Sequence, residues 1–363
     1  MSLVPKHIRN LKPYVAGKTI ESVVEQYKLE KIVKLASNEN SIGPSSRVLN
    51  SLHKEILNIY RYPDSSGSKL RKLLAEKFGV KVDNVVLGSG SEGIMSTIMR
   101  TFLRDKDEII GAKNSFIGFR VLAQASGKKI NWVPMKKYHY DLGAMVKKIN
   151  ANTKIIYLAN PDNPTGTYFS ISEFDNFMSK IPDRVLVILD EAYFEYAEFI
   201  EDYPDSMHYR YDNVITLRTF SKVYGLAGLR VGYGFANEKL VESLMKVKLP
   251  FEPSILAQFA AIESLLDYEH LKKSIEQNKI GYEFIKNELN KLNISYIESV
   301  ANFITLVFEN SKSADKCFNF LLSEGVIVRP LSNFGITECI RVTIGLEEEN
   351  RIFINKMKKY LNN

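Results

Sequence analysis

One lysine lies in a short window whose neighbours could hold a phosphorylated aldehyde. The window runs from Thr219 to Arg230 and reads TFSKVYGLAGLR, so that Lys222 directly follows Ser221. The lysine amine can form a Schiff base with an aldehyde, while Ser221 and Arg230 clamp a phosphate on the same molecule. This combination is the chemistry of pyridoxal 5'-phosphate. The alternative is a glycine-containing loop that carries two surface cations.

Three polar residues upstream could bind the ring of such a cofactor. Asp190 follows the apolar run VLVIL, where a carboxylate costs free energy unless it meets a cation or hydrogen-bond donors. A protonated pyridine nitrogen is such a cation, and Tyr193 could reach the ring hydroxyl. Asn163 lies in NPDNPTG, a turn in which an amide could donate to the ring oxygen. The alternatives are a helix cap or metal ligand for Asp190 and a simple turn around Asn163.

A glycine-rich segment from Gly88 to Gly93, GSGSEG, could form the start of a helix that binds a phosphate. It contains Ser91 and Glu92. Its spacing also matches the dinucleotide motif G-x-G-x-x-G, which requires a carboxylate after the following strand. The chain has AKN there, at residues 112–114, and no carboxylate. We therefore interpret the segment as a cradle for one phosphate or as a packing turn.

Three further side chains could line the same site. Phe116 opens a predicted helix and could stack on a flat ring, although core packing is the commoner role of such a residue. Arg329 and Arg341 lie at the ends of predicted strands, where arginine suits a carboxylate or a phosphate. Both could equally be structural or surface arginines. The five histidines are scattered, so no metal site is predicted.

The composition describes an ordinary globular protein. The 363 residues are 45% hydrophobic and 25% charged, with a formal net charge of +7. No long Lys/Arg block is present, so nucleic-acid binding is not predicted. Cys317 and Cys339 lie far apart, which favours reduced thiols. The sequence shows no signal peptide and no apolar run of membrane-spanning length, so we expect a cytoplasmic protein without a membrane partner.

Buried strands must position the candidate residues. Between residues 65 and 250, short Val/Ile/Leu runs alternate with amphipathic segments, which predicts an α/β fold with a mostly parallel central sheet covered by helices. Ligands of such sheets bind beyond the carboxyl ends of the strands. The residues that fall there are Ser91, Asn163, Asp190 and Lys222.

The pattern changes after Pro250. A helical region is predicted from Ser254 to Leu292, and short strands alternating with helices follow it, which predicts a smaller α+β domain. We expect residues 1–40 to form an N-terminal arm that packs with this small domain. Residues 41–250 are then the large cofactor-binding domain, and residues 251–363 are the small C-terminal domain.

The candidate residues occur in an order that resembles fold-type I pyridoxal-phosphate-dependent aminotransferases. That ordered set is Asn163, Asp190, Tyr193, Lys222 and Arg230. Other motifs resemble the histidinol-phosphate aminotransferase family in particular. They are PYVAG from Pro13, KLASNEN from Lys34, YRYPD from Tyr60, DEAY from Asp190 and IRVTIG from Ile340. The resemblance runs from about residue 10 to the end of the chain.

The resemblance implies a role for each matching residue. The catalytic residues are Lys222, which also moves the substrate proton, Asp190 and Tyr193. The cofactor-binding residues are Ser91, Glu92 (through its backbone), Phe116, Asn163, Asp190, Tyr193, Thr219, Ser221, Lys222 and Arg230. Tyr62 is expected to reach the cofactor phosphate of the neighbouring subunit in a homodimer. The substrate-binding residues are Tyr14, Asn38, Asn163, Arg329 and Arg341, with Arg341 on the carboxylate and with Tyr14 and Arg329 near a distal phosphate.

The implied reaction converts L-histidinol phosphate and 2-oxoglutarate to imidazole acetol phosphate and L-glutamate. The chain departs from the family pattern at Ser41 and Asn114, where the family usually has proline, and at Glu92-Gly93, where it usually has Asp-Glu. The enzymatic alternatives are an aminotransferase for aromatic amino acids or a small phosphorylated amine, and a phospho-amino-acid decarboxylase. A cofactor-binding regulator would need an added DNA-binding segment, for which we expect no spare residues.

Overall fold

The computed structural model describes residues 3–13, 17–209 and 211–362, without the side chains of residues 208 and 209. Within these ranges the strands are β1 (Val33–Lys34), β2 (Val85–Gly88), β3 (Glu108–Ala112), β4 (Lys129–Val133), β5 (Thr153–Ala159), β6 (Leu186–Asp190), β7 (Val214–Thr219), β8 (Gly232–Phe235), β9 (Tyr296–Ile297), β10 (Phe303–Val307), β11 (Val326–Ile327), β12 (Arg329–Pro330) and β13 (Cys339–Thr343).

The α-helices are α1 (Lys6–Arg9), α2 (Ile20–Tyr27), α3 (Ser46–Glu55), α4 (Ser68–Phe78), α5 (Gly90–Phe102), α6 (Ile117–Ala125), α7 (Leu142–Val146), α8 (Ile171–Met178), α9 (Phe194–Ala197), α10 (Ser206–Tyr209), α11 (Glu238–Val247), α12 (Ile255–Leu265), α13 (Tyr268–Lys291), α14 (Ser311–Ser323) and α15 (Glu347–Leu361). Short 3-10 helices cover Ile56–Asn58, Val82–Asn84, Ala227–Leu229 and Ser332–Phe334. Across the described ranges, no helix has the length and apolar character that crossing a membrane requires.

The large sheet has the strand order β2-β8-β7-β6-β5-β3-β4. Its strands are parallel except β8, which runs antiparallel to both β2 and β7. All five residues of β6 are buried. Leu186 and Ile188 pack with α5 and α6 on one face, and Val187 and Leu189 pack with α7 and α8 on the other. Burial on both faces explains the continuous apolar run, and the predicted mostly parallel α/β sheet is confirmed.

A second, antiparallel sheet with the order β12-β13-β10-β9 forms the centre of the C-terminal part. Its core includes residues from α14, α15 and the end of α13. β1, from the predicted N-terminal arm, pairs in parallel with β11, so residues 33–34 are tied to this part. Val23 of α2 packs in a smaller cluster with Leu322 and Ile327 of the same part.

The predicted single helical region from Ser254 to Leu292 is two helices. α12 ends before Asp267, whose side chain accepts a 3.1 Å hydrogen bond from the backbone N–H of His270 and so caps the start of α13. α12 packs in the core of the large sheet, whereas Ile285 and Leu289 near the end of α13 pack in the core of the small one. Along α13 the chain therefore passes from the core of the large sheet to the core of the small sheet. The predicted domain boundary at residue 250 precedes this point.

Candidate active site

A cavity of about 550 Å³ lies at the carboxyl ends of β5, β6 and β7 and beside the start of α5. The predicted residues that line it are Ser91, Glu92, Phe116, Asn163, Asp190, Tyr193, Thr219, Ser221, Lys222 and Arg230. The parallel topology accounts for their meeting, because each follows or ends a strand that points toward the same edge of the sheet. The structure thus brings together the predicted cofactor-binding residues of a single chain.

Asp190 ends β6 and lies at the bottom of the cavity, only 4% exposed. Its Oδ2 accepts a 2.9 Å hydrogen bond from the hydroxyl of Tyr157. Its Oδ1 is buried and meets no donor at hydrogen-bonding distance among the described residues. Burial raises the pKa of Asp190 to about 7, while the hydrogen bond from Tyr157 acts in the opposite direction. A buried carboxylate with an unsatisfied oxygen favours a cationic N–H donor at that position.

Lys222 follows β7 and lines the same cavity. Its Nζ donates a 3.4 Å hydrogen bond to the carbonyl oxygen of Ser37 and lies 5.5 Å from the centre of the Tyr193 ring. Burial, together with the positive charges of Arg341 and Arg230, lowers the pKa of Lys222 to about 8. About a tenth of the amine is therefore neutral at pH 7, and the neutral amine is the form that attacks an aldehyde or accepts a proton.

The predicted phosphate clamp assembles between β7 and α5. Nη1 of Arg230 donates a 3.3 Å hydrogen bond to Oγ of Ser221, and Oγ1 of Thr219 donates to the same oxygen over 3.0 Å. A Cβ atom at Gly90 would lie 2.8 Å from Nη2 of Arg230, so the guanidinium reaches the helix start only because residue 90 is glycine. Amide groups in the first turn of a helix and an adjacent arginine together form an anion site.

Glu92 adds a carboxylate to this clamp. Its Oε2 lies 3.5 Å from Nη2 of Arg230, and both side chains are about half exposed. The side chain of Glu92 thus competes with an anion for Arg230, whereas its predicted contact with a phosphate is through the backbone. The partial exposure of both groups keeps this ion pair weak.

Tyr193 presents its hydroxyl to the cavity between two amides. Nδ2 of Asn38 donates to the Tyr193 oxygen over 2.9 Å, and Nδ2 of Asn163 donates over 3.2 Å. Burial raises the pKa of Tyr193 to about 12, so the phenol stays protonated at neutral pH. Because both amides are donors to the phenol oxygen, its own proton is left to donate to a ligand oxygen.

Arg341 reaches the same group of residues from the small sheet. Nη1 of Arg341 donates to Oδ1 of Asn163, and Nη2 donates to the carbonyl oxygen of Ala36 over 2.9 Å. Arg329 lies directly opposite Arg341 in the register of β12 and β13, and both side chains are buried. Neighbouring buried guanidinium groups repel each other, so this edge of the small sheet is a favourable place for an anion.

One residue predicted to bind the cofactor lies away from the cavity. Tyr62 is 79% exposed, outside this cavity, and its ring stacks on that of Phe251 with centroids 4.3 Å apart. Tyr14 lies outside the described residues. Within the described ranges, no group of three or more His, Cys, Asp or Glu side chains is arranged to hold a metal ion.

Tyr157 lines the cavity as part of β5 and was not among the predicted site residues. It lies in the apolar run IIYLA, which predicts a buried strand and no chemistry. The alternation of side chains along β5 shows on which face of the sheet Tyr157 lies. Tyr157 and Ala159 share a face of β5, and Ala159 pairs with Asp190 in the parallel register of β5 and β6. Only the register between the two strands shows that the Tyr157 hydroxyl meets the carboxylate.

Comparisons with known proteins agree with this geometry. Residues 30–357 match the model of the family described as aminotransferase class I and II. The chain is 39% identical over 361 residues to histidinol-phosphate aminotransferase 2 of Carboxydothermus hydrogenoformans, which covers 99% of each protein. It is 40% identical over 353 residues to histidinol-phosphate aminotransferase of Anaeromyxobacter, covering 96% of each.

A solved structure has the same fold over the whole chain. It is histidinol-phosphate aminotransferase from Sinorhizobium meliloti in complex with pyridoxal 5'-phosphate, with a TM-score of 0.92 and 24% sequence identity. The match covers 100% of this chain and 98% of that one. At this level of identity the likeness concerns the fold, which is the predicted fold-type I architecture.

Proposed function

Because this chain belongs to the histidinol-phosphate aminotransferase family, we propose that it converts L-histidinol phosphate and 2-oxoglutarate to imidazole acetol phosphate and L-glutamate. It is a pyridoxal-phosphate-dependent aminotransferase. The observation that carries the proposal is the identity of about 39% over nearly the full length of relatives that bear this name. The site geometry supports the chemistry, because an amine, a buried carboxylate and an anion clamp face one cavity.

The residues of the cavity fit the cofactor. Bound pyridoxal phosphate supplies an aldehyde that reacts with amines and a ring that withdraws electrons from the carbon that loses its proton. Asp190 would hold the ring nitrogen, since its Oδ1 is buried and none of the described residues donates a hydrogen bond to it. Tyr193 and Asn163 would bind the ring oxygen. Ser221, Arg230 and the start of α5 would hold the phosphate, with Thr219 orienting Ser221.

Lys222 would carry the proton transfer. Its lowered pKa of about 8 keeps part of the Nζ population neutral, so that the amine can take the Cα proton of the amino donor and return it to a neighbouring atom. The cations Arg341 and Arg230 contribute to that lowered pKa, so the groups that bind anions also tune the base. Asp190 would stay ionised once its unsatisfied oxygen meets a cation.

Arg341 would bind the carboxylate of 2-oxoglutarate or glutamate through its planar guanidinium. Its contact with Asn163 places that charge beside the group that binds the ring oxygen. Asn38 would support this arrangement through Tyr193. Arg329 lies next to Arg341 in the sheet and, with Tyr14, would bind the distal phosphate of histidinol phosphate.

We propose further that the enzyme is a homodimer in which Tyr62 completes the site of its partner. Tyr62 is exposed and lies in a segment rich in exposed apolar side chains. The other exposed members of the segment are Ile56, Leu57, Ile59 and Tyr60, and the exposed Phe251 stacks on Tyr62. Such a patch on a soluble protein is typical of an interface.

Mixing subunits tests the shared site. Tyr62→Ala and Lys222→Ala homodimers should both have low activity, and a mixed population should regain part of the wild-type activity. The gain arises because one of the two sites in a mixed dimer then has both native residues. Absence of any gain after verified subunit exchange would contradict the shared site.

A half-reaction screen tests the substrate. The yellow holoenzyme is mixed separately with histidinol phosphate, phosphoserine, aromatic amino acids and glutamate, and the cofactor absorbance and products are followed. Histidinol phosphate and glutamate should each change the absorbance and give the corresponding keto product, and Lys222→Ala should give no turnover. Conversion of aromatic amino acids alone, or release of carbon dioxide from a phospho-amino acid, would replace the proposed substrate while keeping the cofactor.

We propose a cytoplasmic location. Cys317 and Cys339 are both buried free thiols, and unpaired thiols are usual in a reducing compartment. Cell fractionation should find the protein and its activity with the cytoplasmic enzymes, and recovery of the active protein from the cell exterior would contradict this.

A further inference from the structure

Three hydrogen bonds join the large domain to one loop of the small domain near the active site. Nδ2 of Asn114 donates to the carbonyl oxygen of Phe334 over 2.9 Å. Arg120 donates to the same carbonyl over 3.3 Å and to the carbonyl of Asn333 over 3.1 Å. Arg120 also donates to the carbonyl of Lys113, so it connects both sides of the contact. We call the loop of residues 331–336 the small-domain loop.

The loop backbone at Gly335 lies close to the side-chain amide of Asn114. Gly335 has a φ of +79°, and a Cβ atom there would lie 2.8 Å from Nδ2 of Asn114. Any larger residue at position 335 would therefore displace the amide of Asn114. The contact consequently depends on two features, a donor at position 114 and a glycine at position 335.

The small-domain loop is in turn connected to the active site. The ring of buried Phe334 has its centre 6.0 Å from the guanidinium carbon of Arg341, and the ring of Phe303 lies 5.2 Å from the same carbon. Phe334 also packs in a cluster with Ile117, which lines the cofactor cavity. A shift of the loop would therefore change the surroundings of both Arg341 and the cavity wall.

We propose that Asn114 is a positioning residue for the substrate carboxylate. By holding the carbonyl of Phe334, Asn114 keeps the small-domain loop, and through it Arg341, at a fixed distance from Lys222 and the cofactor cavity. The inference rests on the proposed role of Arg341 as the carboxylate-binding residue.

Steady-state kinetics of the holoenzyme variants test the proposal. Asn114→Ala should raise the KM for L-glutamate about three- to tenfold, the effect of one neutral hydrogen bond, with kcat within about twofold of wild type. Asn114→Asp should raise KM at least as much, because a carboxylate cannot donate to the Phe334 carbonyl. Arg120→Met is a second variant and should also raise the KM for L-glutamate.

The matched control is Asn213→Ala. Nδ2 of Asn213 also donates over 2.9 Å to a backbone carbonyl, that of Val185, but within the large domain. This control should leave the KM for L-glutamate unchanged. The affinity for pyridoxal phosphate should stay within twofold of wild type in every one of these variants, since Asn114 acts on the carboxylate side. An unchanged KM in Asn114→Ala, an equal rise in Asn213→Ala, or a matching loss of cofactor affinity would overturn the proposal.

Hydrogen exchange gives a readout that does not depend on turnover. The backbone N–H groups of Phe334, Gly335 and Ile336 bond within the small-domain loop, so their exchange reports its opening. In the holoenzyme, Asn114→Ala should speed this exchange about tenfold, and Asn213→Ala should not. If the wild-type enzyme fails to act on glutamate, the proposed function is wrong. Unchanged exchange in Asn114→Ala, by contrast, overturns the positioning contact itself.

Discussion

The hydroxyl of Tyr157 donates a 2.9 Å hydrogen bond to Oδ2 of Asp190, while Oδ1 of the same carboxylate is buried and has no hydrogen-bond partner in the part of the chain that the structure describes. One of the two carboxylate oxygens therefore accepts a hydrogen bond from within the protein. A protonated ring nitrogen of the cofactor would donate to the other oxygen. The pKa of about 7 that burial imposes on Asp190 indicates how strongly the site favours such a cation.

Tyr157→Phe should lower kcat and cofactor affinity by about tenfold each. The change removes a hydrogen bond to an ionised group, which contributes about 1.5–3 kcal/mol, and it raises the pKa of Asp190 further. The ring stack with Phe119 is kept. Turnover and equilibrium titration with pyridoxal phosphate measure the effect. Tyr168→Phe is the control, since it removes a hydrogen bond from Tyr to the carboxylate of Asp202 at the surface. Equal losses in both variants would contradict a specific role for Tyr157.

Asp190→Asn should stabilise the cofactor-free protein at pH 8 and leave its stability nearly unchanged at pH 4. The native pKa of Asp190 is raised to about 7 from 3.8, so the native state binds more protons than the unfolded state between these values. The free energy of unfolding of the wild type therefore falls through this group as the pH rises from about 4 to 7, by at most about 4 kcal/mol. Asparagine cannot ionise, so the free energy of unfolding of Asp190→Asn does not fall through this position as the pH rises.

Urea unfolding of the cofactor-free proteins from pH 4 to pH 8 measures this difference. The same substitution should weaken the binding of pyridoxal phosphate, because asparagine provides no charge for the ring nitrogen. A stability difference between Asp190→Asn and wild type that does not grow with pH would show that the buried carboxylate carries no such penalty.

The reaction of Lys222 with pyridoxal phosphate should follow a pH midpoint near 8, because only the neutral amine attacks the aldehyde. Arg341→Gln removes a positive charge that lowers the pKa of Lys222, so the midpoint should move to higher pH. Arg341→Lys should keep most of the wild-type value. Stopped-flow absorbance across a pH series measures the midpoint. Arg329→Gln is the control, and a shift as large as that of Arg341→Gln would exclude a specific effect of Arg341.

Arg218→Met should lower the free energy of unfolding by about 3–5 kcal/mol, the usual effect of breaking a buried ion pair. Arg218 is fully buried on β7 and lies 2.7 Å from Glu191, the residue directly after Asp190. Removing it leaves a buried carboxylate without its cation. Arg351→Met, at an exposed pair with Glu347, should change the free energy by less than about 0.5 kcal/mol. Urea unfolding compares the two, and similar losses would contradict a special cost of burial.

Much of the site could be predicted because its residues follow local patterns. Asn163, Asp190 and Lys222 each come after an apolar run that has strand character on its own. Once the runs are known to form parallel strands, their carboxyl ends must meet at one edge of the sheet. The α/β class and the cluster of these residues therefore follow from chain order and from the period of the apolar residues.

Helix boundaries near the domain junction could not be predicted in the same way. The apolar pattern from Ser254 to Leu292 is continuous, and the break at Asp267 depends on which core each half meets. α12 packs against the large sheet and the end of α13 against the small one. Which sheet each helix packs against is determined by the tertiary structure and cannot be seen in the apolar pattern alone.

Residue types and their order along the chain identified the groups that could perform the chemistry: Lys222 as the amine, Asp190 as the carboxylate, and Ser221 and Arg230 as the anion clamp. The hydrogen-bond partners of the site residues follow from the packed structure. Tyr157 meets Asp190 because of the register of β5 and β6, and Asn114 meets Phe334 from 220 positions away. Residue type and spacing determine what a group can do, but hydrogen bonds and pKa values depend on distances of a few ångströms that only packing sets.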